Sequence, residues 1–257
     1  MKHVSAKASH YDYAADKYDA INEKFIEVQN VIIKEILKKY KLESVLDLSC
    51  GTGSQVIYLA KNGFKVVGSD LNRKMLAVAK KKATSAKIDC RLLLGDMRTS
   101  RLGSFDSVIT IYNAIGHLTK SDFKIALRNI SNNLRPGGIY VFDIFNLTYM
   151  LDGENITTLT IDKMARENNH TIRKIQFSTI DHNGILASHT TSIVAKANTR
   201  RAKEAKGSQT LQIYSALELK QLLEQCGFQL VAKRSMDGTP FNDKKTKHIL
   251  LIAKNMK

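Results

Sequence analysis

The stretch Val45-Leu46-Asp47-Leu48-Ser49-Cys50-Gly51-Thr52-Gly53 joins an apolar run to a helix-forming one through a glycine-rich turn. Glycines there let the backbone approach a ligand closely, with the first amides of the following helix pointing at it. A dinucleotide fingerprint needs a third glycine where this chain has Val56, and no Lys-Ser/Thr pair follows to grip phosphates. Asp47 sits badly beside a pyrophosphate and suits a ligand bearing positive charge. Two further acids close apolar runs: Asp70, after Phe64 to Ser69, and Asp96, in Gly95-Asp96-Met97. His117, beyond a fourth apolar run, has the side chain whose ordinary pKa lies nearest neutrality. Cys50, Cys90 and Cys226 are scattered, without a CxxC pair or His/Cys spacing, so neither a disulfide framework nor a metal site is indicated. His170, His182 and His189 fall in the hairpin region without ligand spacing and read as surface residues.

Helix and strand patterns alternate from residue 17 to residue 143, as in a parallel sheet covered on both faces by helices. Ile21, Phe25, Val28, Ile32 and Ile36 mark one face of an opening helix. Strands are predicted over 44–48, 64–69, 88–94, 107–111 and 139–142. Asn72 and Ser121 are the predicted N-caps of two intervening helices, and Arg135-Pro136-Gly137-Gly138 is a predicted turn. The rhythm then changes. Residues 170–181 and 185–197 alternate like strands about an Asp181-His182-Asn183-Gly184 turn. Asn198 to Ser208 reads as a basic loop, and Thr210 to Tyr214 as a strand. Ser215-Ala216-Leu217-Glu218 is a capping box opening a last helix, followed by strands over 228–232 and 248–253. The expectation is an α/β, doubly wound sheet of seven parallel-class strands, with an antiparallel β insertion between strands 5 and 6. Residues 1–257 form a single domain in this reading, with 155–214 as the insertion.

Asp-x-x-Cys-Gly-Thr-Gly resembles motif I of the class I S-adenosylmethionine-dependent methyltransferases, whose fold is a Rossmann-like sheet. The resemblance implies S-adenosyl-L-methionine as cofactor, held at Asp47, Gly51 and Gly53. It gives Asp70 to the ribose hydroxyls and Asp96 to the adenine amino group, with Leu71 and Met97 on the adenine faces. Gly95-Asp96-Met97-Arg98, Phe105-Asp106-Ser107-Val108 and Tyr112-Asn113-Ala114-Ile115-Gly116-His117-Leu118 narrow it to small-molecule enzymes. The sugar-amine N,N-dimethyltransferases are similar, with Tyr-Asp pairs near the N-terminus (here Tyr11-Asp12 and Tyr18-Asp19) and a β-rich insertion. The segment Asp143-Ile144-Phe145-Asn146 departs from their aromatic-rich pattern, and the chain has no Trp. Tyr112, Tyr11 and Tyr18 are placed by the resemblance around the cofactor. Tyr11 and Tyr18 either bind its carboxylate, serve as a lid or staple the first helix. The implied reaction is an in-line methyl transfer to an N- or O-nucleophile. A base is needed only if that nucleophile arrives protonated, and His117 is then either that base or a structural cap.

With 40 Lys and Arg against 24 Asp and Glu, the formal charge is +16. Such a field favours nucleic acid or phosphorylated partners. Without an aromatic-interleaved basic stripe, a solvated lysine-rich surface is preferred to an RNA-binding role, for which Arg200, Arg201, Lys203 and Lys206 would be the cations. A non-catalytic cofactor-binding protein is the third reading, disfavoured by the intact acid and glycine set. No apolar run approaches a membrane span and no signal segment opens the chain, so the expected compartment is the cytoplasm and the expected partner a small-molecule acceptor.

Overall fold

The computed structural model of the protein describes residues 1–12, 15–151, 158–167, 170–196 and 202–257. Helix α1 (Tyr18–Lys39) opens the α/β alternation. It continues through β1 (Ser44–Asp47), α2 (Ser54–Lys61), β2 (Lys65–Asp70), α3 (Arg73–Ser85), β3 (Arg91–Leu94), β4 (Phe105–Thr110), α4 (Lys120–Asn133) and β5 (Leu134–Phe145). After the short α5 (Leu147–Leu151) come β6 (Thr158–Glu167), β7 (His170–Ile180), β8 (Ile185–Lys196) and β9 (Ala202–Gln212), which form an antiparallel sheet in that order. Helix α6 (Ala216–Gln225), β10 (Phe228–Ser235) and β11 (His248–Asn255) complete the main sheet, whose order is β10-β11-β5-β4-β1-β2-β3. The expected α/β architecture with an inserted antiparallel sheet is therefore present. One strand departs from the parallel class: β11 runs antiparallel to both β5 and β10.

Strand alternation builds two cores. On β5, Tyr140, Phe142 and Ile144 enter one with Phe123, Leu127, Leu219 and Phe228, while Ile139 and Val141 enter the other with Ile33, Leu37, Val56 and Leu76. Ile180, Leu186 and Leu211 of the inserted sheet belong to the first core, which roots the insertion in the main fold. Among the described residues, no helix is long and apolar enough to cross a membrane.

Several local expectations are corrected. In α1 the buried stripe is Ile26, Ile33, Ile36 and Leu37, whereas Phe25 and Val28 are exposed. This helix is apolar on more than one face, and the stripe shifted by one residue packs on the sheet. Thr119, not Ser121, caps α4, because its hydroxyl accepts from the Asp122 amide while Ser121 is already helical. The Arg135 to Gly138 turn lies inside β5, where the β4 pairing jumps from Leu134 to Ile139 and Gly137 takes φ +73°. The basic loop is instead strand β9 from Ala202 onward, with Lys203 opposite Val194 and Glu204 opposite Ile193. As an edge strand, exposed over its first residues, it carries charge where a buried strand would alternate. Strand β6 was not predicted at all. Residues 198–201 of the expected loop, including Arg200 and Arg201, lie outside the described residues. Lys206 is paired with Glu204 at 3.2 Å.

Candidate active site

The carboxyl ends of β1, β2, β3 and β4 converge on one cleft, where ligands bind open α/β sheets. It encompasses about 1020 Å³ including its open mouth, and is lined by Gly51, Asp70, Leu71, Asp96, Met97, Tyr112, His117, Tyr11 and Tyr18 among others. Nine of the predicted site residues therefore stand together. Asp47 and Gly53 stand behind the lining.

Two glycines of the loop do different work. Gly51 has φ +51° and open space where a Cβ would project, so the chain can approach a ligand there. Gly53 has φ +77°, and a Cβ would come within 2.9 Å of Ala79 Cβ, so this glycine lets α2 and α3 close together.

Carboxylates fix the loop from both sides. Asp70 accepts the Gly51 amide on Oδ2 and the Asn72 amide on Oδ1, each at 2.8 Å. Burial raises its pKa, while the Asn72, Gly51 and Leu71 amides work against the rise. Asp19, from α1, accepts the Thr52 hydroxyl at 2.6 Å and pairs with Lys82 of α3. Neither role was read from the sequence. The Tyr18-Asp19 pair was noted only as part of the resemblance, since nothing local says that α1 docks on this loop.

Asp96 is less free than expected. Arg98 chelates it, with Nη2 2.6 Å from Oδ2 and Nε 3.0 Å from Oδ1, and also reaches Asp122 at 2.9 Å. Burial pushes the Asp96 carboxyl up, but the Arg98 side chain and amide outweigh it and hold the group below the ordinary carboxylate range.

The N-terminal segment straps the cleft. The Ala6 amide donates to the His117 carbonyl at 2.8 Å, and Asn72 Nδ2 donates to the Ala8 carbonyl and to Asp12 at 2.6 and 2.8 Å. His3 bridges the Thr210 hydroxyl and the Leu118 carbonyl, while His10 meets Gln209 of β9 at 2.8 Å. Tyr11 and His117 share a 2.7 Å hydrogen bond through the hydroxyl and Nε2. Burial, reinforced by His10 and His3, holds the His117 pKa down to about 3. The ring is therefore neutral at physiological pH, and its proton affinity is far below what a general base at that pH requires. Of the two roles read for His117, base or structural residue, these surroundings favour the structural one. Burial likewise raises the Cys50 thiol well above its ordinary value, which leaves it unreactive.

Asp47 is 2% exposed, and burial lifts its pKa to about 7, against the pull of the Ser49 amide, with Asp70 adding to the rise. In the unfolded chain its value is the ordinary 3.8. Between these values the folded state keeps a proton that the unfolded state releases, so stability without ligand falls as pH rises from about 3.8 to about 7. Above that window the buried charge is fully present and this contribution levels off. Asp47→Asn is expected to flatten that slope. Chemical denaturation of both proteins from pH 4 to pH 8 checks it, and parallel slopes would refute the assignment.

The residues fit S-adenosyl-L-methionine as the resemblance implies: an open glycine for close approach, a strand-end carboxylate beside it, apolar Leu71 and Met97, and buried negative charge for a cationic ligand. Residues 45–138 match the family described as methyltransferase domain. Glycine N-methyltransferase of Mus musculus is 32% identical over 138 residues, covering 45% of this chain and 45% of that protein. A dTDP-3-amino-3,4,6-trideoxy-alpha-D-glucopyranose N,N-dimethyltransferase of Streptomyces venezuelae is 30% identical over 151 residues, covering 54% and 62% respectively. The chain thus spans about half the length of the curated relatives it matches. An S-adenosylmethionine-dependent methyltransferase from Clostridium acetobutylicum ATCC 824 superposes with a TM-score of 0.78 over 95% of this chain and 98% of that one, at 20% identity. At that identity the likeness is one of fold.

Proposed function

With residues 45–138 matching a methyltransferase domain, we propose that the chain is an enzyme that transfers a methyl group from S-adenosyl-L-methionine to a small-molecule nucleophile, an amine in preference to a hydroxyl. The observation that carries this reading is Gly51 open to the cleft at φ +51°, with Asp70 bound to its amide. The amine preference draws on relatives that are named as N-methyltransferases. Residues 1–257 act as one unit in this reading, with 155–214 as a substrate-side insertion. Free thiols at Cys50, Cys90 and Cys226 suit a reducing compartment, in keeping with the cytoplasm.

When bound, the cofactor supplies an electrophilic methyl on a sulfonium. Asp70 and the Gly51 turn would hold the nucleoside, with Leu71, Met97 and Asp96 as the residues that would meet its base. Asp47 sets a negative field behind the loop, while Tyr11, Tyr18 and Tyr112 wall the cleft. With the strap across the cleft, proximity and orientation of the reactants would supply most of the acceleration.

S-adenosylmethionine and S-adenosylhomocysteine should raise the melting temperature, whereas NAD and ATP should not. At a ligand concentration of about 100 Kd the stabilisation is about 2.7 kcal/mol, or roughly 5–10 °C for a chain of this size. Calorimetry with each ligand checks it; preference for NAD or ATP would remove the proposal.

A further inference from the structure

A second polar cluster stands at the same edge of the main sheet and takes no part in the steps above. In strand order, β2 ends at Asp70, β1 ends at Asp47, β4 leads to Tyr112, β5 carries Asp143, and β11 begins at His248. Because β11 runs antiparallel to β5, its first residue arrives at this edge, in register with Phe145. The first of these groups serve the cofactor; Asp143 and His248 lie beyond them, on the far side of β4.

Asp143 is fully buried at 0% exposure, yet among the described residues its Oδ1 has no hydrogen-bond partner and its Oδ2 accepts only a long 3.2 Å bond from the Asn113 amide. His248 Nε2 lies 2.5 Å from that Oδ2, close but not aligned as a hydrogen bond, so Nε2 is also without a hydrogen-bond partner. The imidazole stacks on Phe145 at 4.8 Å and on Phe25 of α1 at 5.9 Å, and Phe25 meets Tyr112 at 5.8 Å. Tyr112 lines the cleft, and its buried hydroxyl has no hydrogen-bond partner among the described residues. Phe25 is 38% exposed and the His248 side chain 11%, so the side of the cluster formed by these two rings is the part that meets solvent.

A buried carboxylate with unmet acceptors is costly unless a cation or donor completes it. Phe25 and Phe145 flank the imidazole beside it, and aromatic faces are favourable to a cation. An anion is repelled. We infer that Phe25, Phe145, His248 and Asp143 form the subsite for the acceptor's ammonium group, with His248 as the group that removes its proton. This rests on the methyl-transfer reading, because only there does an incoming amine have to lose a proton before it can attack.

The proton step is closed in itself. An N–H bond of the ammonium breaks, its electron pair stays on that nitrogen, and a bond forms from the proton to His248 Nδ1. The resulting imidazolium turns its Nε2–H toward Asp143, which acts as a positioning residue through the ring. The titratable groups about the His248–Asp143 pair are Tyr112 beyond β4, Tyr140 on β5, Tyr18 on α1, which also presents Phe25, and the exposed Lys247 preceding His248 in the chain.

The test is histidine-resolved NMR on the full chain, titrated with isopropylammonium chloride and separately with isopropanol, each with and without S-adenosylhomocysteine. The ammonium should move the His248 ring resonances, and the isosteric alcohol should not. His248→Gln should weaken isopropylammonium binding by at least about tenfold, as for a lost hydrogen bond to a charged group, with S-adenosylhomocysteine affinity unchanged. Asp143→Asn should diminish the change that isopropylammonium produces in the His248 ring resonances, which a merely space-filling carboxylate would not do. The wild-type titration stands alone should that variant fail to fold. A His248 ring that responds to neither probe, or to both equally, overturns the subsite. Failure of S-adenosylhomocysteine to bind overturns the functional reading instead, and is seen in a separate arm.

Discussion

Asp70→Ala is expected to weaken S-adenosylhomocysteine binding by roughly 100-fold, on the order of 3 kcal/mol. The carboxylate acts twice. It receives the amides of Gly51 and Asn72, both at 2.8 Å, and so holds the turn open at Gly51, which unlike Gly53 has space in front of it. Its remaining lone pairs face the cleft, where each hydrogen bond between a charged group and a ribose hydroxyl contributes about 1.5–3 kcal/mol. Asp70→Asn keeps one acceptor oxygen but sets an amide NH₂ against a backbone donor, so an intermediate loss is expected. Asp96→Ala should cost less than Asp70→Ala, because Arg98 already occupies both Asp96 oxygens. Isothermal calorimetry on folded variants measures all three. If Asp70→Ala binds like the wild type, or if Asp96→Ala proves the more damaging, the nucleoside does not lie as placed.

The strand-end acids were legible because each follows a short apolar run that can only be a buried strand, and such strands place their carboxyl ends on one edge. Asp47, Asp70, Asp96 and both glycines follow from that rule. What the sequence hid was partnership across long separations. Asp19 fastens Thr52, and Arg98 closes on Asp96 and Asp122. Each depends on how α1 or α4 docks, and periodicity misplaced the buried face of α1 by one residue. Strand β9 was hidden for a different reason. Its first residues are exposed, so no hydrophobic alternation marks a strand that is held by its ladder to β8. His248 was legible only as the start of a last strand. Its meeting with Asp143 depends on β11 running antiparallel between β5 and β10, which composition does not encode.

His117→Ala should leave the shape of the turnover–pH profile unchanged, because a ring whose pKa is held down to about 3 has no proton to exchange near neutrality. Its effect should fall on the strap and on stability. The side chain receives or gives the 2.7 Å bond with Tyr11, so truncation removes that bond and leaves a hole beneath the strap, while the backbone carbonyl still holds Ala6. A lost hydrogen bond of about 1 kcal/mol corresponds to roughly a fivefold loss in cofactor affinity. The pH dependence of stability is the sharper readout. In the unfolded chain His117 takes a proton near its ordinary 6.5, while the folded chain refuses it until about pH 3. Stability is therefore fully present above pH 6.5 and is lost as pH falls toward 3, by on the order of a few kcal/mol. His117→Ala removes this acid sensitivity, so the stability gap between wild type and variant should narrow steadily on acidification. Denaturation curves at intervals from pH 7.5 to pH 4, together with turnover against pH once an acceptor amine is in hand, separate the alternatives. A gap that stays constant, joined to an activity loss that alkaline pH rescues, would restore His117 as the base and leave His248 without that role.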